Sequence, residues 1–143
     1  MKNKEENFAK VGSGVVIIKD DKTLLAKRKG SHAAGSWGSL GGHVEFGETP
    51  IETVKREAKE ELGIEIGNIE FAVCLNMLID GKHYVDISFT AEIISGEPKI
   101  MEPEKIEEIG WFDLDNLPSP LFGPVKAVFD ALKTGNKYFE ICN

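Results

Sequence analysis

The sequence predicts an α+β fold, a mixed β-sheet sandwiched between helices. Three observations carry that prediction. Several segments are β-branched or alternate apolar and polar residues with period two. Two others space their apolar residues as a helix does. The length, 143 residues, suits one domain that buries most of its apolar surface without disulfide staples.

The elements follow in chain order. Residues 1–9 are polar and expected to be mobile. Residues 11–18 read as a strand, because Val15, Val16, Ile17 and Ile18 are bulky and mostly β-branched. Asp20-Asp21-Lys22 is a turn, and residues 23–27 return as a second short strand. Residues 30–42 read as loop, with Gly30, Gly35, Gly38, Gly41 and Gly42. A helix is predicted over 49–62. Thr49 and Glu52 fit a capping box, Pro50 suits the first helical position, and Gly63 ends the helix. Ile51, Val54, Ala58 and Leu62 form its apolar stripe.

Ile69, Phe71, Val73, Leu75, Met77 and Ile79 then alternate as one face of a long strand. Asp80-Gly81 supplies hairpin chemistry. The partner strand alternates Val85, Ile87, Phe89, Ala91 and Ile93. A polar connector opens at Ser95-Gly96-Glu97-Pro98, and residues 109–112 read as a short strand. After Pro118 and Pro120 comes a last helix, with Leu121, Phe122, Val125, Val128, Phe129 and Leu132 on its apolar face.

The composition narrows the function. The formal net charge is −7, which argues against sequence-independent binding to nucleic acid, since that needs a basic footprint. It leaves room for a small polyanionic substrate, because a bound metal reverses the local sign. Cys74 and Cys142 are too few for a disulfide scaffold and point to a reduced compartment. The opening MKNKEENFAK carries no signal-peptide pattern, and no apolar run approaches the ~18 residues of a membrane span. A cytoplasmic protein is expected.

The 49–62 helix carries the chemistry. Glu57, Glu60 and Glu61 stand at i, i+3 and i+4, so they cluster on one side, with Glu57 and Glu61 nearer the edge of the apolar stripe. Like charges at that spacing are unfavourable, more so near the negative end of the helix dipole. A solvated charged face is the ordinary reading of such a run. The preceding Gly-rich loop and the bordering core favour a hard divalent cation instead, which takes clustered carboxylate oxygens.

Gly42-x5-Glu48-x7-Arg56-Glu57-Ala58-x-Glu60-Glu61-x-Gly63-Ile64 resembles the Nudix box of the Nudix hydrolases. Ala58 is smaller than the aliphatic residue usual there. The likeness extends through Ala26-Lys27-Arg28-Lys29-Gly30-Ser31, Ala34-Gly35-Ser36-Trp37, residues 41–48, Glu102-Pro103-Glu104-Lys105, and Leu117-Pro118 with Leu121-Phe122. These segments are similar to the MutT-like branch that holds the human 8-oxo-nucleotide-type and plant cytosolic Nudix enzymes. That branch usually has Leu-Pro before the paired glycines; this chain has Ser39-Leu40.

The resemblance implies an α/β/α sandwich with a loop–helix–loop box and Mg²⁺ as cofactor, Mn²⁺ being a substitute. It implies Glu57 and Glu61 as principal metal ligands, Glu60 as a supporting one, and the Gly41 carbonyl as a further ligand. Arg56 and Glu48 would hold the carboxylates in place, with Glu45 behind them. Arg28, in the basic run beside the loop, would contact phosphate. Glu104 or Glu102 would complete the catalytic set. Trp37, Phe122, Pro124 and Val125 would wall a base pocket, and Asn76 and Ser88 would meet a base edge if their face lines the cleft. His43 is expected to pack in the loop.

The activity implied is hydrolysis of a nucleoside triphosphate, including an oxidised 8-oxo-dGTP-like one, to the monophosphate and pyrophosphate by attack of metal-activated water. The alternative is another diphosphate: dihydroneopterin triphosphate, a dinucleotide, ADP-ribose or an isoprenoid diphosphate. A non-catalytic nucleotide sensor would lack box glutamates, which this chain retains. The partners implied are a small diphosphate and, as in related enzymes, a second copy in a homodimer; no nucleic-acid polymer and no membrane is expected. Acid concentrates in residues 42–64, with six acidic and three basic residues, and in 97–108, with five and two.

Overall fold

A computed structural model describes residues 7–30 and 33–143. Residues 1–6 of the polar start and Ser31 of the resemblance motif lie outside the described residues. The elements are β1 (Lys10–Lys19), β2 (Lys22–Arg28), β3 (Trp37–Gly38), β4 (Leu40–His43), α1 (Pro50–Leu62), β5 (Glu65–Ile79), β6 (Lys82–Ser95), β7 (Ile106–Asp113), α2 (Gly123–Thr134) and β8 (Tyr138–Cys142). They form one mixed sheet in the order β3-β2-β1-β6-β5-β8, with β4 on β1 and β7 on β2. β1 runs parallel to β6 and β5 parallel to β8; the remaining pairs are antiparallel.

The two faces of the sheet each bury a helix. Val15 and Ile17 of β1 point into one core with Val54, Ala58 and Leu62 of α1. Val16, between them, points into the other with Val125, Val128 and Phe129 of α2. Strand alternation thus divides one run of β-branched residues between two cores, and the predicted sandwich is present.

α1 starts as its sequence requires. The Thr49 hydroxyl accepts from the Glu52 N–H at 3.1 Å, and the Glu52 carboxylate accepts from the Thr49 N–H at 2.9 Å. Gly63, at φ 68°, closes the helix in the left-handed conformation. The Asp80-Gly81 turn has positive φ at both positions, 53° and 75°, which is the geometry a tight hairpin needs.

Several expectations are corrected. Residues 30–42 are not all loop, because Trp37–Gly38 and Leu40–His43 pair with β2 and β1. Ile51 is 42% exposed; the inward place in the first turn goes to Thr53, whose hydroxyl donates to Glu48 Oε1 at 2.7 Å. β5 begins at Glu65, and register shifts between Gly67 and Glu70 and between Phe71 and Val73 break its alternation. Phe71 is consequently exposed while Ala72 is buried. Leu121 and Phe122 precede α2, and Leu132 is exposed. β8 follows α2 where no element was expected.

Candidate active site

The second half of α1 faces β4. At Gly42 a Cβ would come within 2.6 Å of Glu57 Oε1, and at Gly41 it would overlap the Ser13 carbonyl. The paired glycines therefore let the carboxylates reach the sheet. The Gly41 N–H donates to Glu61 Oε1 at 3.0 Å.

Arg56 ties the group together. Its Nε and Nη2 donate to both oxygens of Glu48, at 2.8 and 3.0 Å. Its Nη1 donates to Glu57 at 2.8 Å and to Glu60 at 3.3 Å, and Nη2 reaches the His43 carbonyl at 3.2 Å. Glu45 lies 3.8 Å from the same nitrogen. The Arg56 bond pulls the Glu48 carboxyl down to about 2, helped by the Thr53 hydroxyl and the Glu45 N–H. Arg56 itself is held even more firmly protonated, chiefly by Glu48.

Glu57 and Glu61 line a cavity of about 270 Å³ with Arg28, Ser39, Gly41, Glu102 and Lys105. Two backbone bonds bring Glu102 there: the Met101 N–H donates to the Glu61 carbonyl at 3.0 Å, and the Lys99 N–H to the Leu62 carbonyl at 3.1 Å. The acidic 97–108 segment is thus stitched to the end of α1. Burial raises the Glu61 carboxyl far above the usual range; the Gly41 N–H opposes this, and Glu57 and Glu102 add to it. Burial also lowers Arg28, against the charge of Glu61.

Arg28 also borders a larger cleft of about 700 Å³, shared with Ser39 and Gly41 and walled by Met77, Ile79, Leu121, Phe122 and Pro124. The Arg28 guanidinium stacks on Phe122 at 4.4 Å. Phe122 is placed by two bonds to β3: Trp37 N–H to the Pro120 carbonyl at 2.9 Å, and Phe122 N–H to the Trp37 carbonyl at 2.8 Å.

The anticipated residues fall into two groups. Glu57, Glu61, Gly41 and Arg28 meet at the small cavity, and Phe122, Pro124 and Arg28 at the large one. Glu60 is half exposed beside Arg56. Glu104 is exposed and lines neither cavity, whereas Glu102 lines the small one. Trp37 is core, edge-to-face with Phe112 at 4.8 Å, and Val125 is fully buried. Asn76 Oδ1 accepts from His83 Nε2 at 2.7 Å, in the ring tautomer that protonates Nε2. Ser88 is buried under the cleft beside Asp86. His43 stacks on Tyr84. Gly12, Gly14 and Asp86 line the large cleft and carry no motif; only the pairing of β1 with β6 reveals them.

The small cavity suits a hard cation. Among the described residues no three His, Cys, Asp or Glu side chains form a ready ligand cluster. Yet Glu57 and Glu61 line the cavity together with Glu102, and burial, with these two neighbours adding to it, raises the Glu61 pKa. Oxygen donors in that arrangement fit Mg²⁺.

An α/β/α sandwich here sets a helix-borne carboxylate pair and an arginine beside a cleft, an arrangement suited to hydrolysis of phosphate anhydrides. The NUDIX domain model matches residues 9–132, and the chain belongs to the Nudix family. It resembles the crystal structure of a MutT NUDIX hydrolase from Burkholderia pseudomallei, with TM-score 0.83 and 36% identity over 87% of this chain and 98% of that one. An ADP-ribose pyrophosphatase of Methanocaldococcus jannaschii is 37% identical over 85% of this chain and 72% of its own length. An NAD-capped RNA hydrolase, NudC, of Chromobacterium violaceum is 36% identical over 73% of this chain and 38% of its own. The chain spans less than two fifths of the length of such RNA hydrolases.

One expectation is overturned here. Exclusion of a nucleic-acid partner does not stand, because NAD-capped RNA hydrolases recur among the relatives. Net charge bears on binding along a phosphate backbone; it says nothing about a diphosphate at the end of a strand. Among the described residues no helix is long and apolar enough to cross a membrane.

Proposed function

We propose that this chain hydrolyses a diphosphate joining a nucleoside to a second group, of the ADP-ribose or dinucleotide kind, free or at the end of an RNA. The observation that carries the reading is the Glu57–Glu61 pair, with Glu102, in a cavity that shares Arg28 and Gly41 with the large cleft. The cleft sets the apolar walls of Met77, Ile79, Leu121, Phe122 and Pro124 beside polar groups that include His43, Tyr84 and Asp86, which suits a nucleoside. Its relatives' names favour such diphosphates over a free triphosphate. The likeness to a MutT protein supports triphosphate hydrolysis as the second reading.

Glu57, Glu61 and Glu102 would hold Mg²⁺, with Glu60 and the Gly41 carbonyl as supporting donors. When bound, the ion neutralises diphosphate charge and makes water nucleophilic near neutral pH. The protein's own part is positioning. Arg56 fixes Glu57 and Glu48 at charge-assisted distances. The Gly41 N–H orients Glu61, and Arg28 reaches phosphate oxygens from the boundary of the two cavities.

The test is product analysis by chromatography with ADP-ribose, NAD, NAD-capped RNA, dGTP and 8-oxo-dGTP, each with Mg²⁺ and with chelator. The reading expects cleavage of a nucleoside–diphosphate–X substrate to two monophosphates, at a kcat/KM above that for either triphosphate. Preference for a triphosphate with pyrophosphate release would reverse the order of the readings.

A further inference from the structure

β1 carries glycine at 12 and 14, two positions on one face of the sheet. Gly12 pairs with Asp86 of β6, and Gly14 with Ser88. A Cβ on Gly12 would meet only the Gly42 carbonyl, at 3.6 Å; one on Gly14 would touch Ser39, Leu40 and Ser88 at 3.4–3.5 Å. The floor of the large cleft is therefore a strip of glycine backbone, open at Gly12 and bordered at Gly14 by Ser39, Leu40 and Ser88. Gly12, Gly14 and Asp86 all line that cleft.

Asp86 stands at the edge of the strip with little to satisfy it. Among the described residues its hydrogen-bond partner is the Ser88 hydroxyl, at a long 3.5 Å to Oδ1. Burial pushes its pKa up to about 6, with Ser88 opposing. It is distinct from the carboxylates of the small cavity and lines only the cleft with apolar walls. An ionised carboxylate only accepts hydrogen bonds, so a half-buried one beside open backbone in this cleft asks for an N–H on the edge of a bound ring.

We propose that Asp86 sets base specificity, accepting a hydrogen bond from the exocyclic amino group of a purine laid over the Gly12–Gly14 strip. This deepens the proposed function and rests on its reading of the large cleft as the nucleoside site. A purine with neither an exocyclic amino group nor an N1–H leaves the carboxylate unmatched, and such a mismatch costs roughly ten- to hundredfold in affinity.

The test is calorimetric binding of AMP, GMP and purine riboside 5′-monophosphate in chelator, so that no hydrolysis enters the reading. The wild-type chain is expected to bind AMP or GMP roughly ten- to hundredfold more tightly than the unsubstituted purine nucleotide. That preference should collapse in both D86A and D86V, the latter a good strand former that also removes a buried charge. Equal binding of the three by wild type overturns the proposal without need of any variant, as does failure to bind any of them. So does a preference that survives both substitutions. If the preference depends on Asp86 but no diphosphate is cleaved with Mg²⁺, the hydrolytic reading fails and the base-recognition proposal stands.

Discussion

The Glu61 carboxyl is tucked under β4, accepting the Gly41 N–H at 3.0 Å with Glu57 and Glu102 close by. Its folded pKa is raised above the ordinary 4.5. The folded state therefore binds more protons than the unfolded one above that pH, and stability falls as pH rises. Glu61→Gln removes this slope. In chelator, its melting temperature should decline less between pH 5 and 8 than that of wild type, while Mg²⁺-dependent hydrolysis falls by more than about 100-fold. Glu48 has the opposite sign: its folded pKa of about 2 lies below 4.5. Its contribution is present above pH 4.5 and is lost as pH falls toward 2. Glu48→Gln should therefore melt lower than wild type at pH 7, with the gap closing through that window. Helical geometry makes Glu57 and Glu61 legible in the sequence, since i, i+4 spacing fixes their common side, whereas Arg56 is legible only through the resemblance to the Nudix box. Glu102 against Glu104 is not legible, because the choice depends on which carbonyl of α1 captures the Met101 N–H. Asp86 is hidden for a similar reason, its role arising from glycines more than seventy residues away on a parallel neighbour.

α1 is the element whose start, stop and buried face are all written locally. Thr49, Glu52 and Pro50 begin it, Gly63 ends it, and Val54, Ala58 and Leu62 are fully buried. Leu62→Ala should cost about 2–5 kcal/mol in chemical denaturation. Thr49→Ala, which removes one arm of the capping box, should cost about 1 kcal/mol. Equal effects would mean that the core contact of Leu62 contributes no more to the helix than its cap. β5 is legible only in part. Its alternation is visible, but the shifts around Gly67–Val73 reverse Phe71 and Ala72, and nothing in a period-two pattern announces a bulge. β8 does alternate, with Phe139 and Ile141 packed on the α2 core. Five residues after a helix gain meaning only from the open edge of β5 they complete.

At the scale of the molecule, the charge of −7 has a place. The two acidic segments, 42–64 and 97–108, converge at the small cavity through Glu57, Glu61 and Glu102, while Arg28 from the basic strand stands across from them. The sandwich makes this possible by putting α1 on one face and leaving the other face of β1 and β6 to form the larger cleft. Most of the remaining acids of these segments are exposed, so the overall charge mixes a site with a surface, and it gave no ground for excluding RNA-linked substrates. The central claim is that the crowded glutamates are a cation site. Titration of the metal-free chain with Mn²⁺, read by the loss of its free-ion electron paramagnetic resonance signal, tests it most directly. Wild type should remove Mn²⁺ from solution and the folded Glu57→Gln/Glu61→Gln double variant should bind at least about 10–100-fold more weakly; equal uptake by the two proteins would contradict the account.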